Sequence, residues 1–442
     1  MIRRWGLLVI TAVVLLVGAV LIGQETGPYG SWIWQTIALS LVGGALVLAS
    51  TWQWRHKDVS RRWLLVVVVF GVVLRLAIIP STRELSDDAA RYHWDGKAIA
   101  HGVNPFRHSP DEPAVAHLWT DAIDERINHP WNRTCYPPLA EGLFTVGYLL
   151  SPGSLRGLQL LCLIAEILTW FLLAQELARR KRSAAWLLLM VWSPLLVCQG
   201  YLPGHLDLLL LPFVALLISA TLAKKGARAG LWLALACLIK PLPLLWLPAI
   251  ARELGLRRTI RLVAVCAIVG SLAYLPFWKA GWFLFSSTWL MATDWPFNGS
   301  IGAILESFLT KRQAHLGSGF LTGLGLILTT WRGRDFLGRA LAAQVVFVAF
   351  TPTLFPWYLI STLPLLVLRP QPVLLALVLL IPLSDQVVIA HHLRGVWHES
   401  PALRWAQYLP FYGLLVWDRI NNRIRNRPPP DPADGTPRSG NH

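Results

Sequence analysis

Charge is scarce in this chain. Of its 442 residues only 14% are Asp, Glu, Lys or Arg, and 24 of them are acidic. Soluble proteins carry roughly 25% charged residues, so a string of water-soluble domains is excluded. Cysteine is thin as well, with five residues. Cys162, Cys198, Cys237 and Cys266 lie in apolar runs and Cys135 stands alone in a polar loop, which encodes neither a disulfide framework nor a thiolate metal knuckle. His93, His101, His108, His117 and His129 crowd one segment, yet no HExxH-like spacing occurs. No repeat with a period of roughly 20–50 residues is present. The net charge of +16 sits in short clusters between apolar runs, without a basic domain interleaved with aromatics, so nucleic acid is excluded as a partner.

Apolar residues are what the chain has, at 55%. A bilayer-crossing helix needs about 20 of them. Candidate spans are 7–22, 32–52, 63–80, 157–178, 184–201, 205–222, 260–278, 319–331, 336–354, 357–368, 373–390 and 402–419. The expected fold is an all-α polytopic membrane protein with about 12 transmembrane helices, further half helices and a helical first external loop. Arg3 and Arg4 precede the first span, but no small-x-small cleavage site follows, so that span is read as uncleaved. Clusters at Arg55/Lys57/Arg61/Arg62, Arg179–Arg182, Lys224/Lys225/Arg228, Arg252/Arg257/Arg258/Arg261, Arg332/Arg334/Arg339 and Arg423/Arg425/Arg427 then mark the cytoplasmic side, together with both termini. The organisation reads as two N-terminal spans (1–62), a core (63–370) with external loops 81–137 and 279–318, C-terminal spans (371–420) and a Pro/Gly-rich disordered tail (421–442).

That parity holds only if 229–250 enters and leaves on one side. Lys240-Pro241-Leu242-Pro243 interrupts the run at its middle, where proline removes a donor and disfavours helix before it. Non-helical backbone at such depth survives beside protein or a water-filled cavity. A second short helix is expected at 138–150, opened by Tyr136-Pro137-Pro138.

The polar residues gather on the other face. Glu84, Asp87, Asp88, Arg91 and Asp95 crowd the start of the first external loop. If 87–100 is helical, Asp88, Arg91 and Asp95 share a face, and Asp88 is favoured by the helix dipole. Such a group reads either as a carboxylate base held by an arginine or as a solvated helix start with local ion pairs. Gly102 with Asn104-Pro105, and Cys135-Tyr136-Pro137-Pro138, are turn signals.

The run SDDAARYHWDGKAIAHGVNPF with its following YPP turn resembles the first external loop of the GT-C superfamily, integral-membrane glycosyltransferases that use polyprenyl-phosphate sugars. The likeness is greatest to bacterial mannosyltransferase-type members. It continues through Gly204-His205-Leu206-Asp207, Leu238-Ile239-Lys240-Pro241, Phe297-Asn298 and Phe355-Pro356-Trp357-Tyr358, and so covers roughly residues 63–370. It implies that an acidic residue just after an early span is the catalytic base, with Arg91-Tyr92 matching the family register from Asp88. Ala89 stands where relatives often carry a second acid, and Asp87 precedes instead, so either Asp87 or Asp88 could fill the role; Asp88 fits better. The implied reaction takes a hexose, by likeness mannose, from a polyprenyl-phosphate carrier to a glycan or lipid acceptor, with inversion. The implied setting is a bacterial inner membrane with the site on the periplasmic or extracellular face. Tyr92, Asn104 and Tyr136 would contact substrate.

Transfer from a lipid phosphate needs an acceptor hydroxyl deprotonated and oriented, and a phosphate neutralised as it leaves. Asp88 supplies the first, with Asp87 and Asp95 in support and Arg91 orienting the carboxylate. Lys240 is the expected phosphate ligand, because an ammonium deep in a bilayer costs roughly 2.5–3.5 kcal/mol on insertion scales and so needs a partner or a task. Arg75 could reach the same surface, whereas Arg404 reads as an interfacial anchor. His205 and Asp207, two residues apart, do not share a helix face and read as hydrogen-bonding substrate contacts. Asn298, Trp357 and Tyr358 complete the rim, with Trp94 or Trp357 able to stack on a sugar. No metal site is encoded, although the Asp87/Asp88 pair could hold a divalent cation. Other readings are a transporter or flippase for a lipid-linked or anionic solute, since broken helices also build transporter sites, and an oligosaccharide ligase.

Overall fold

Inside a bilayer every backbone N–H and C=O must be satisfied within its own segment, and the apolar runs fold as helices accordingly. The computed structural model describes residues 2–425 except Thr26, Pro203 and Arg334; the expected tail from 426 onward, and the side chains of Arg3, Arg4, Arg423 and Arg425, lie outside the described residues. The helices are α1 (Ile2–Gly23), α2 (Tyr29–Trp54), α3 (Arg61–Ile78), α4 (Asp88–Ala100), α5 (Pro138–Leu150), α6 (Arg156–Arg179), α7 (Ala184–Tyr201), α8 (Leu206–Leu222) and α9 (Gly226–Cys237). They continue as α10 (Leu247–Leu254), α11 (Leu256–Tyr274), α12 (Phe283–Asp294), α13 (Ile301–Glu306), α14 (Lys311–Arg332), α15 (Phe336–Phe350), α16 (Pro356–Leu368), α17 (Pro372–Arg394) and α18 (Pro401–Arg425). Among the described residues only isolated bridges, Phe297 and Asn298 with Thr353, have β character.

Among the described residues six helices are long and apolar enough to cross a membrane: α1, α2, α6, α7, α11 with its extension to Ala280, and α17; α5, α8, α9, α15 and α16 are apolar but shorter. The chain is a membrane protein. Its outer faces match that solvent, with Val9, Val13 and Val17 exposed along one stripe of α1 and Leu65, Val69 and Leu76 on α3. The expected external loop 279–318 is mostly helical instead, because α12, α13 and the first two turns of α14 fall inside it.

Basic turns meet at one end. Ser183 donates to the Lys57 carbonyl, Arg182 to the Leu368 carbonyl, Arg369 pairs with Asp335 and Arg339 with Glu253. The acidic loops meet at the other end, where Tyr29 donates to the Glu84 carbonyl, Arg126 pairs with Glu84 and Ser287 donates to Asn132.

The break at Lys240 turns the chain back on itself. Gly226 lies against the Arg258 carbonyl and Gly230 against that of Leu262; a β-carbon at either would come within 2.3 and 2.4 Å. Both contacts step by four in the same direction, so α9 and α11 run parallel, and 238–255 must bring the chain back between them. The returning piece is a 3-10 turn, Leu242–Trp246, followed by α10. Small residues four apart are what permits this backbone approach.

Candidate functional site

Two interruptions of regular helix meet at the site. The first amides of α5 have no partner in their own helix; Leu139 and Ala140 both donate to the carbonyl of Leu238, at 3.1 Å each. The Tyr136-Pro137-Pro138 turn is thereby docked on the break that carries Lys240. Helix α4 lies across this junction. Gly96 has no side chain because a β-carbon there would sit 2.3 Å from the Phe144 carbonyl oxygen.

The faces of α4 have different tasks. Ala90, Trp94 and Ala98 pack into a small core of the loop that follows α4, with Val115, Leu118, Ile123 and Ile127. At the far end of the helix Lys97 donates to Thr120, Asp121 and Asp124 at 2.7–2.8 Å. His93, Asp121 and Asp124 have the spacing of a metal group, but the Lys97 ammonium already supplies its positive charge. On another face Arg91 donates to Asp95 at 2.9 Å and to the Asn132 carbonyl at 2.8 Å. Arg91 thus orients Asp95, not Asp88, because its fork points along the helix toward the partner four residues on. Asp95 is fully buried, and burial raises its pKa against the pull of Arg91. It braces α4 and is closed to substrate.

Asp88 begins α4 with its side chain 26% exposed. Asn128 donates one amide group to Asp87 Oδ1 at 2.8 Å and to Asp88 Oδ1 at 3.0 Å. Asp88 Oδ2 lies 4.0 Å from His205 Nδ1. Burial, and then the Asp87 charge, push the Asp88 carboxyl up to about 6. Its surroundings separate the two acids: Asp88 is within electrostatic reach of Lys240 and Asp207, whereas Asp87 acts on Tyr29, Glu84 and His129.

His205 and Asp207 share this site because the backbone between them is not α-helical. His205 is extended and Leu206–Leu208 is a 3-10 turn. His205 Nδ1 lies 3.2 Å from the Tyr92 hydroxyl, and its ring stacks on Trp357 at 3.9 Å. Its Nε2 is buried without a protein partner. Asp207 takes the Lys240 ammonium on both oxygens, at 2.9 and 2.8 Å. The same ammonium lies 4.3 Å above the Tyr358 ring. Tyr136 meets Tyr92 edge-on at 5.0 Å. Asp88, Tyr92, Tyr136, His205, Asp207, Lys240, Trp357 and Tyr358 therefore form one group drawn from five parts of the chain.

Other expected members fall elsewhere. Arg75 is fully buried and gives its N–H groups to both oxygens of Glu166 (3.1 and 2.8 Å) and to backbone carbonyls of Gly71, Met190 and Val191. With no donor free, it cannot ligate a phosphate. Trp94 is 2% exposed and packed against Trp119, which closes it to sugar stacking. Asn104 accepts from its own turn at Phe106. Asn298 is buried and ties the segment between α12 and α13 to α18 through Gln407 and Tyr408. Arg404 pairs with Glu399 at 2.6 Å. Asn128 was not among the expected residues; it lies forty positions beyond Asp88 in an irregular segment with no periodicity to flag it.

Comparison with known proteins returns no match: no family model, curated protein or solved structure is similar to the chain.

Proposed function

We propose that this protein is a membrane glycosyltransferase of GT-C type that moves a hexose, by sequence likeness mannose, from a polyprenyl-phosphate donor to a glycan or lipid acceptor. In this reading twelve helices cross the bilayer around the re-entrant α9–α10 segment, the basic end and both termini are cytoplasmic, and the Asp88 end faces outward. The observation that carries the reading is the meeting of a partly exposed carboxylate, Asp88, with the lysine of a broken helix in one aromatic-walled group. Asp88 Oδ2 takes the proton of the acceptor hydroxyl, and the oxygen so freed attacks the anomeric carbon. The bond from that carbon to the phosphate oxygen breaks, its electron pair leaves with the polyprenyl phosphate, and Lys240 neutralises the growing charge. Tyr358, half-buried beside Lys240, bounds the sugar, whereas Trp357 is buried with its ring stacked on His205 and Phe355 and is closed to sugar stacking. The lipid chain fits the apolar flank where α11 and α14, both packed on α10, leave Ile260, Ile268, Phe320 and Ile327 exposed.

Purified protein is incubated with a polyprenyl-phosphate hexose and candidate acceptors, and new glycosidic bonds are measured. Asp88→Asn lowers turnover about 10²- to 10⁴-fold, the range of a lost general base. Near-wild-type turnover removes Asp88 from the mechanism. A transporter, which the helix break would also suit, forms no bond in this assay at all.

A further inference from the structure

Asn128 comes from a loop that the reaction does not otherwise use. It follows Ile123 and Ile127, which are buried in the loop core against Ala90, Trp94 and Ala98 of α4. Asp124, one turn earlier, holds Lys97 near the C-terminus of that helix. The segment 120–128 thus runs antiparallel to α4, pinned at one end by Lys97, and delivers the Asn128 amide to the opposite end. Arg126 adds an outer tie to Glu84 at 3.0 Å.

We infer that Asn128 is a positioning residue whose amide bridges Asp87 and Asp88, holding Asp88 by Oδ1 so that Oδ2 is the oxygen presented toward His205 and the incoming hydroxyl. The inference rests on the reading of Asp88 as base. Two carboxylates adjacent in sequence repel one another, and a shared donor offsets that repulsion. The groups facing Asp88 are Asp87 just before its helix and Tyr92 on it, Asn128, Cys135 and Tyr136 from the loop, His205 and Asp207 at the start of α8, Lys240 at the break and Tyr358 on α16. Of these, Asn128 is the residue that hydrogen-bonds the Asp88 carboxylate. Losing that bond raises the proton affinity of Asp88 and frees its χ rotation together.

The test uses Asn128→Ala in the full chain, with two readouts. In the glycosyl-transfer assay kcat falls about 10- to 100-fold while KM for the lipid donor stays within about twofold, and the acid limb of kcat moves up by about one pH unit. In the resting protein, without substrate, a hydrophobic carbodiimide that reacts with protonated carboxyls labels Asp88 over a range shifted upward by the same amount. Arg126→Ala, which loosens the same loop from outside, leaves the limb and the labelling range in place. If Asn128→Ala labels as wild type and keeps its acid limb, the positioning role is overturned even when Asp88→Asn is inactive. If Asp88→Asn is fully active, the reading of the reaction fails instead, and the labelling still reports whether Asn128 governs this carboxylate.

Discussion

Two cation–carboxylate pairs lie in the apolar body of this protein, and they are built differently. Arg75 and Glu166 are both fully buried. Every Arg75 nitrogen has an acceptor, the Tyr201 hydroxyl adds a 2.6 Å bond to Glu166, and the Trp170 ring covers the guanidinium at 5.0 Å. Lys240 and Asp207 are matched on one side only. Asp207 is buried, but the lysine side chain is 16% exposed and its outer neighbours are a tyrosine ring and the open Asp88 group. A saturated pair is architecture, because a ligand could reach it only by breaking bonds already made. A half-saturated pair beside a solvent-reachable carboxylate has room for an anion.

Removing charges one at a time, and then in pairs, gives the largest separation between the two. Breaking a buried pair leaves an uncompensated charge and costs about 3–5 kcal/mol, whereas replacing both partners by neutral residues of similar size is often harmless. Arg75→Ala therefore yields little folded protein, and Arg75→Met/Glu166→Gln recovers both folding and transfer, measured by detergent-solubilised thermal unfolding and the glycosyl assay. Lys240→Met/Asp207→Asn also recovers folding, yet its turnover stays about 10²- to 10³-fold down, the range of a lost electrostatic contact in the transition state. Equal activity in the two double variants would erase the distinction between the pairs.

A smaller effect sharpens it further. In the proposed reaction Asp207 would compete with the phosphate for Lys240, since both of its oxygens are on the ammonium. Asp207→Asn keeps the shape and removes the competition. The expected outcome is tighter retention of polyprenyl phosphate by about tenfold, near 1.4 kcal/mol, with a lower kcat where product release limits the rate. Product-inhibition kinetics read this directly; an unchanged inhibition constant places the phosphate away from Lys240.

From the sequence the two cations look alike, each a lone positive residue in an apolar run. What separates them is the presence of Glu166, ninety-one residues from Arg75, which no local pattern announces. The break at Lys240-Pro241, the short helix after Tyr136-Pro137-Pro138 and the helix from Asp88 were legible because proline and the Asp-rich start act locally. The parallel pairing of α9 with α11 had a sign as well, in Gly226 and Gly230 at small-xxx-small spacing. Arg91 was misassigned for a physical reason: positions i+3 and i+7 from Asp88 share a face with it, but the guanidinium bonds at i+4, to Asp95. His205 and Asp207 met only through a 3-10 turn, which their spacing alone argued against.

The finest effect expected from the open pair is on acidity. The Asp88 carboxyl lies near 6, with burial and Asp87 raising it and the Asn128 bond and the Lys240 charge lowering it. If Asp88 is the base of the proposed reaction, it must be ionised to accept a proton, so transfer is lost as pH falls through that value and is level above it until another group intervenes. Removing the Asp87 charge in Asp87→Asn takes away a neighbour that disfavours ionisation. The acid limb then moves down, by less than about one pH unit for a partly solvated pair. Neutralising Arg75 with Glu166 leaves the limb where it was, since the main influences on Asp88 are burial, Asp87, Asn128, Lys240 and Asp207. A limb that shifts with the Arg75 pair and not with Asp87 would mean that the closed centre, and not the open one, sets the proton affinity of the base.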